Sequence, residues 1–346
     1  MTGIKFLKKD ILYIAAGPEG STSILRARAL ERLGHSVHRV NACEVVPRSI
    51  WLQRFHKFCG FGLLQRSVQR HIMAAISDRR YDIGWVDSGY LVGGPILRDL
   101  RNKCKQLVNY CHDDPPGGRD GNSWISYRTG VSQYDFVITV RECTRQNLIA
   151  WGAKRVLREY MSYDDAQHVP IEMTPNERAQ WSSEVLFIGT WMPERGPIIK
   201  KLLDRGVPLK IFGDRWDRCL DRSIRRNIWM GRAVYGREYC LAVSGAKLCL
   251  GLLSKGNRDQ HTTRSFEIPA IGSVLVAERT DEHMQIFRDG IDAALWADET
   301  ECATKCLKLL SNEKHRNEMA LSGQQRVRHL RLSNTEAMAR ILHQIR

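Results

Sequence analysis

Residues 184–213, EVLFIGTWMPERGPIIKKLLDRGVPLKIFG, decide the architecture. An apolar run, 184–189, ends at a glycine, a helix-patterned segment covers 195–206, and a second apolar run, 208–213, follows. Short apolar runs separated by helical stretches read as βαβ units, in which a helix carries the chain back so that the strands lie parallel. The rhythm continues downstream with strands at 246–253 (AKLCLGLL), 273–277 (SVLVA) and 293–297 (AALWA). Helices are expected near 236–245, 264–271, 281–288, 299–311, 313–330 and 333–346. Upstream, strands are expected near 10–16 (DILYIAA), 36–41, 82–87 (DIGWVD), 105–111 (KQLVNYC) and 135–140 (DFVITV), with helices near 21–33, 63–77, 95–102 and 141–151. Gly34 and Gly152 fall where helix C-termini belong.

The stretch 161–183, MSYDDAQHVPIEMTPNERAQWSS, breaks the rhythm with two prolines and no apolar period, and reads as a connection between domains. A chain of 346 residues is long enough for two cores. The expected layout is an α/β protein with a Rossmann-like domain over 1–165, a linker over 166–183, a second Rossmann-like domain over 184–330 and a terminal helix over 331–346. Ligands of such sheets bind at the carboxyl ends of the strands, so a cleft faced by the two domains is the expected site.

Hydrophobic residues make up 43% and charged residues 26%, the proportions of a globular chain. No run approaches the ~20 apolar residues of a membrane span. The first residues, MTGIKFLKKDILYIAAG, have only six apolar positions after their lysines, which fits a first strand better than a signal peptide. Ten cysteines without a CxxC pair read as reduced thiols, and the expected location is cytoplasmic. A net charge of +15 calls for an anionic partner: nucleic acid, a lipid surface or a phosphorylated small molecule. The basic residues are spread over both halves without a nucleic-acid motif, so no specific nucleic acid is expected.

Four segments carry candidate chemistry. Gly17-Pro18-Glu19-Gly20-Ser21-Thr22 follows the first strand and opens a helix, where amides favour an anion; a plain turn capped by Ser21 or Thr22 fits equally. Cys111-His112-Asp113-Asp114-Pro115-Pro116 ends a strand; His112 suits a sugar hydroxyl or a proton, and Asp113 or Asp114 suits a hydroxyl proton. Residues 48–80 hold seven Lys/Arg and one acid among Trp51, Phe55, Phe58, Phe61, Leu63 and Leu64. Such a face fits an anionic membrane surface, at the inner side for a cytoplasmic protein, or simply covers the sheet. Gly189-Thr190 leads to Arg195 at a helix entrance, a place for a phosphate.

The stretch 259–273, DQHTTRSFEIPAIGS, puts Glu267 near a helix entrance. Glu267 resembles the acid that accepts hydrogen bonds from the donor's ribose hydroxyls in nucleotide-sugar glycosyltransferases of the two-Rossmann, GT-B type. Their retaining group-one members carry Glu-x7-Glu, and the first position here is Asp259. The pattern Asp259-x-x-Thr262-x-Arg264-x-Phe266-Glu267-Ile268-Pro269-Ala270-x-Gly272 resembles the CgeB-like branch of that family, as do Glu278-Arg279-Thr280, Phe287-Arg288-Asp289-Gly290 and Gly323-Gln324-Gln325-Arg326-Val327.

The resemblance spans 184–330; over 1–160 it is one of topology. It implies a cytoplasmic glycosyltransferase whose last helix crosses back to the first domain and which retains anomeric configuration. The donor is a nucleotide-diphosphate sugar, and the acceptor is a glycan, a lipid-linked molecule or a protein. Gly17, Gly189, Thr190, Arg195, Lys255, Arg264 and Glu267 are the expected donor-binding residues, and His112, Asp113 and Asp259 the catalytic ones. Thr190 stands where an arginine is frequent, and Lys255, Arg258 and Arg264 are placed to supply the charge. The chain has no Asp-x-Asp pair to hold a metal on a diphosphate, so neither metal nor cofactor is expected. A nucleotide-sugar 2-epimerase of the same fold and a non-catalytic nucleotide-sugar or nucleic-acid binder are the alternatives.

Overall fold

The computed structural model describes residues 7–15, 17 and 20–345. Ala16, Pro18 and Glu19 lie outside the described residues, and with them the middle of the first glycine loop. The chain forms two compact units.

The first unit holds six parallel strands, β1 (Asp10–Ala15), β2 (Ser36–Asn41), β3 (Tyr81–Asp87), β4 (Cys104–Cys111), β5 (Phe136–Thr139) and β6 (Val156–Arg158), in the order β2-β1-β3-β4-β5-β6. Its helices are α1 (Thr22–Arg32), α2 (Ile50–Phe58), α3 (Gln65–Ile76), α4 (Gly94–Arg101), the single turn α5 (Ile125–Arg128) and α6 (Glu142–Ala150). Five of the six β1 residues are buried, the near-continuous burial of a strand covered on both faces. Leu12, Ile14, Val86, Leu107 and Val137 meet Val68, Ile72, Ile96 and Leu97 in its core.

The second unit holds β7 (Ser183–Ile188), β8 (Leu209–Phe212), β9 (Trp229–Gly231), β10 (Ala246–Gly251), β11 (Val274–Glu278) and β12 (Ala294–Trp296), again all parallel, in the order β12-β11-β10-β7-β8-β9. Read from β7 this is the doubly wound Rossmann order, with the direction of winding reversing between β7 and β10. In the first unit the reversal falls between β1 and β3. The covering helices are α7 (Pro175–Trp181), α8 (Arg195–Asp204), α9 (Gly236–Ser244), α10 (Arg264–Ile271), α11 (Asp281–Ile286), α12 (Glu299–Ser311) and α13 (Glu313–His329).

The last helix, α14 (Asn334–Gln344), belongs to the first unit, together with residues Gly256–Arg258. It packs on α1, with Arg340 bonded through two nitrogens to Glu159 at 2.9 and 3.0 Å. The expected crossing back of the terminal helix is therefore present.

The expected linker is partly helical: α7 lies inside 166–183, and the whole stretch clusters with the second unit. Its signal is a capping box, with Thr174 accepting from Glu177 N–H, Glu177 accepting from Thr174 N–H, and Pro175 filling the first turn. Strands β6 and β9, three residues each, are too short to show a period of two. Among the described residues no helix is long and apolar enough to cross a membrane.

Candidate functional site

In the second unit the polar groups gather at the switch between β7 and β10. Arg195 opens α8 and is 7% exposed. One terminal nitrogen of its guanidinium donates to Thr190 O at 2.7 Å, the other to Leu252 O at 3.1 Å, and the plane lies over the Phe187 ring. Arg195 therefore bolts together the loops leaving β7 and β10 and fixes their backbone. Gly189 sits under this bolt: Trp216 Nε1 donates to its carbonyl at 2.9 Å, and a Cβ on Gly213 would come within 2.0 Å of that oxygen. Only glycine allows this approach at the φ of +157° that Gly213 adopts.

The loop after β10 closes on itself. Asp259 accepts from Ser254 N–H, and its own N–H returns to Ser254 O, both at 3.2 Å. Glu278, 7% exposed at the end of β11, accepts from Leu253 N–H at 3.0 Å and pairs with Lys255, whose side chain is otherwise largely exposed. Lys255 is thus held at the strand ends by a carboxylate.

Helix α10 begins at Arg264 as expected, and Gly272 ends it in the left-handed conformation. Glu267 lies inside the helix and does not cap it; it is 4% exposed. Its Oε2 accepts from Tyr239 O–H of α9 at 2.8 Å, and its Oε1 lies 3.9 Å from His168 Nε2. His168 Nδ1 accepts from Asp164 N–H at 2.9 Å, so the ring proton is on Nε2, the nitrogen facing Glu267. Arg264 lies over the Tyr239 ring. Burial acts against its charge, but Glu267 and Tyr239 nearby hold its guanidinium above the usual range. Burial and the Glu267 carboxylate push the Tyr239 phenol well above its ordinary value. Beneath α10, His283 is fully buried, donates from Nδ1 to Glu278 O at 2.6 Å and accepts from Ser265 Oγ at 2.8 Å. Burial lowers its pKa to about 4, so the ring is neutral.

In the first unit the corresponding switch holds a second cluster. Asp87, at the end of β3, receives Arg26 of α1 through two bonds of 2.7 and 2.8 Å and Tyr13 O–H of β1 at 2.6 Å. Burial works against the carboxylate, yet the Arg26 charge and hydrogen bonds hold it below the usual range. Arg26 also lies over Tyr110 and reaches His112 Nδ1 at 3.4 Å. A guanidinium can only donate, so the His112 proton sits on Nε2, which faces Asp113 Oδ2 at 3.6 Å. Asp113 accepts from Ser88 Oγ at 3.2 Å and is about one third exposed.

Its neighbour Asp114 is buried, bonded by Arg258 at 2.7 Å through two nitrogens and by Thr144 Oγ1 at 2.6 Å. Of the two acids, only Asp113 retains a half-exposed carboxylate. Gly17, at φ +135°, stands close to Ser21, the N-cap of α1, at this same sheet's end.

The fold thus gathers Gly189, Thr190 and Arg195 at one switch, and Arg264 and Glu267 along one helix. It pairs His112 with Asp113 and leaves Gly17 in the first unit. The sequence reading passed over Asp87, Arg26, Tyr239 and His168, and it quoted Glu278 without a role. Asp87 and Glu278 were readable as acids ending apolar strands; Tyr239 and His168 have no local signal. Among the described residues no three His, Cys, Asp or Glu side chains converge as a metal cage would. A cavity of about 560 Å³ opens at the opposite edge of the second sheet, beside Ser183, Lys210, Lys247 and Ser273, away from the strand ends where such sheets take ligands.

Comparison with known proteins agrees with this layout. Residues 195–343 match a protein-family model described as glycosyl transferase-like. No curated protein matches the sequence. Among solved structures, the chain is similar to sucrose-phosphate synthase from Thermosynechococcus elongatus, at 13% identity over 98% of this chain and 99% of that one, with a TM-score of 0.72. It is similar to HepE of Anabaena in complex with UDP and glucose, at 12% identity over 97% and 99%, with a TM-score of 0.68. A third, a UDP-N-acetylglucosamine 2-epimerase so described from Listeria monocytogenes, aligns at 12% identity over 98% and 96%, with a TM-score of 0.57. At such identities the likeness establishes the fold. The chain has the GT-B fold of two Rossmann-like units, and its residues 195–343 match the glycosyl transferase-like family.

Proposed function

We propose that this protein is a glycosyltransferase that moves a sugar from a nucleotide-diphosphate sugar to a hydroxyl of a glycan, a lipid-linked molecule or a protein, with retention and without a metal or cofactor. The observation that carries the reading is Glu267: a buried carboxylate, oriented by Tyr239 O–H, on the helix that follows the β7/β10 switch of a Rossmann sheet. The 259–272 signature, similar to the CgeB-like branch, and the family match over 195–343 support it. Two carboxylate oxygens suit the vicinal hydroxyls of a ribose. Two of the similar structures hold UDP with glucose and UDP-glucose, which makes a uridine nucleotide the first donor to try.

In the reaction the bond between the anomeric carbon and the diphosphate oxygen breaks, and a bond from that carbon to the acceptor oxygen forms on the face the diphosphate leaves, which preserves the anomeric configuration. Negative charge grows on the leaving diphosphate. In this reading the α8 N-terminus, fixed by Arg195, and the cations Lys255 and Arg264 stabilise it. Asp259 contacts the sugar. On the acceptor side Asp113 takes the hydroxyl proton, and His112, held by Arg26, orients the reacting sugar.

The test is a panel of UDP-, GDP-, dTDP- and ADP-sugars, each incubated with and without candidate acceptors. Release of nucleoside diphosphate that rises with acceptor supports transfer. Conversion of donor alone to its 2-epimer moves the assignment to the epimerase reading. Binding without either reaction leaves a nucleotide-sugar receptor.

A further inference from the structure

None of the nine residues of α2 is buried, although five of them, Ile50, Trp51, Leu52, Phe55 and Phe58, are apolar. At about 100° per residue, Trp51, Phe55 and Phe58 share one arc about 60° wide, with Arg54 just beyond its Phe58 edge and Lys57 further round on that flank. Cys59, Leu52 and His56 follow round the Phe55 flank of that arc, where His56 and Cys59 are half-buried. The outward stripe is open to an unusual degree: Trp51 is 77% and Phe58 74% exposed. Leu63 extends it, and Ile125 joins it beside Gly60. The helix is nonetheless firmly seated. Asn122 Nδ2 donates to Phe58 O at 2.8 Å, Ser126 Oγ to Gly60 O at 2.5 Å, and Gln53 Nε2 to Pro47 O at 2.9 Å.

We infer that α2 is a preformed membrane-docking helix, whose Trp51, Phe55 and Phe58 enter the headgroup layer of an anionic bilayer while the basic residues around them engage lipid phosphates. Charge selects this occupant. Arg48, Arg54, Lys57, Arg66 and Arg70 are all exposed, within a segment of seven cations and one acid. Arg54 lies over the Trp51 ring, an amphipathic pair suited to a bilayer interface. A second copy of the chain is disfavoured, because a shared face would bring the two sets of arginines and lysines together in a protein of net charge +15. The inference rests on α2 and the residues flanking it and does not depend on the transfer reading.

The experiment is flotation of the full chain with vesicles of phosphatidylcholine, pure or with about a third phosphatidylglycerol. Binding to the anionic vesicles only, reversed by high salt, is expected. Trp51→Glu/Phe58→Glu should abolish it, and Arg54→Gln/Lys57→Gln should weaken it about fivefold per cation removed. Both positions of the first variant are exposed, so its melting temperature and nucleotide affinity should match the parent. Quenching of the parent protein's tryptophan fluorescence by brominated lipid, lost in Trp51→Phe, provides a second readout that needs no loss of binding. Equal flotation with neutral vesicles, or unchanged binding by the glutamate variant, overturns the inference. So does self-association without lipid that the same variant abolishes, which would make the stripe an interface between copies.

Discussion

Glu267→Gln tests the donor site most directly. The substitution keeps the side chain's size and an oxygen to accept from Tyr239 O–H, now at 2.8 Å, but removes the charge. Hydrogen bonds to a charged group contribute about 1.5–3 kcal/mol and neutral ones about 0.5–1.5. Two ribose hydroxyls on Glu267 should then lose about 1.5–3 kcal/mol together, and donor affinity should fall roughly 10- to 100-fold. Glu267→Ala should lose more. Tyr239→Phe separates orientation from contact. It leaves a buried carboxylate short of one donor, which costs about 1–3 kcal/mol of stability, while affinity should fall less than in Glu267→Gln. Isothermal titration of UDP and the cognate donor into all three variants, alongside urea unfolding of the ligand-free proteins, measures both quantities. Unchanged nucleotide affinity in Glu267→Gln, together with lowered stability, would refute the ribose assignment and leave Glu267 as a tie between α9, α10 and His168.

Turnover should persist in EDTA, since the chain has no Asp-x-Asp pair; full loss restored by manganese would contradict the metal-independent mechanism. Acid should destabilise the second unit through His283. Its folded pKa of about 4 lies below the unfolded value of 6.5, so its contribution is complete above pH 6.5 and is lost as pH falls toward 4, by about 3 kcal/mol in total. Urea midpoints between pH 7 and pH 4 should fall less steeply in His283→Asn, and parallel slopes would count against this. Asp87→Asn should cost about 3–5 kcal/mol, because it strands the buried Arg26 charge, and His112 should lose its alignment with Asp113. A variant as stable as the parent in urea unfolding would show that the pair is not structural.

What the sequence determined by itself is local. Short, mostly apolar runs separated by helical segments pointed to ten of the strands and to the parallel class, because a strand covered on both faces is largely apolar. The acids at 259 and 267 stood out through their resemblance to the Glu-x7-Glu pattern of group-one glycosyltransferases, because no local period relates a loop residue to one inside a helix. The short strands β6 and β9 and the helix α7 within 166–183 were passed over, two for want of enough residues to show a period and one because prolines hid a capping box that was in plain view.

Tertiary structure decided the rest. Strand order brought Arg26 to Asp87 across 61 residues and Tyr239 to Glu267 across 28. It also set Arg195 on the carbonyls of two loops 62 residues apart in sequence, Thr190 and Leu252. Choosing between Asp113 and Asp114 required knowing that Arg258 takes the second. The apolar face of α2 shows the same limit from the other side. Periodicity states which face of a helix is apolar, but only the packed neighbours determine whether anything covers it.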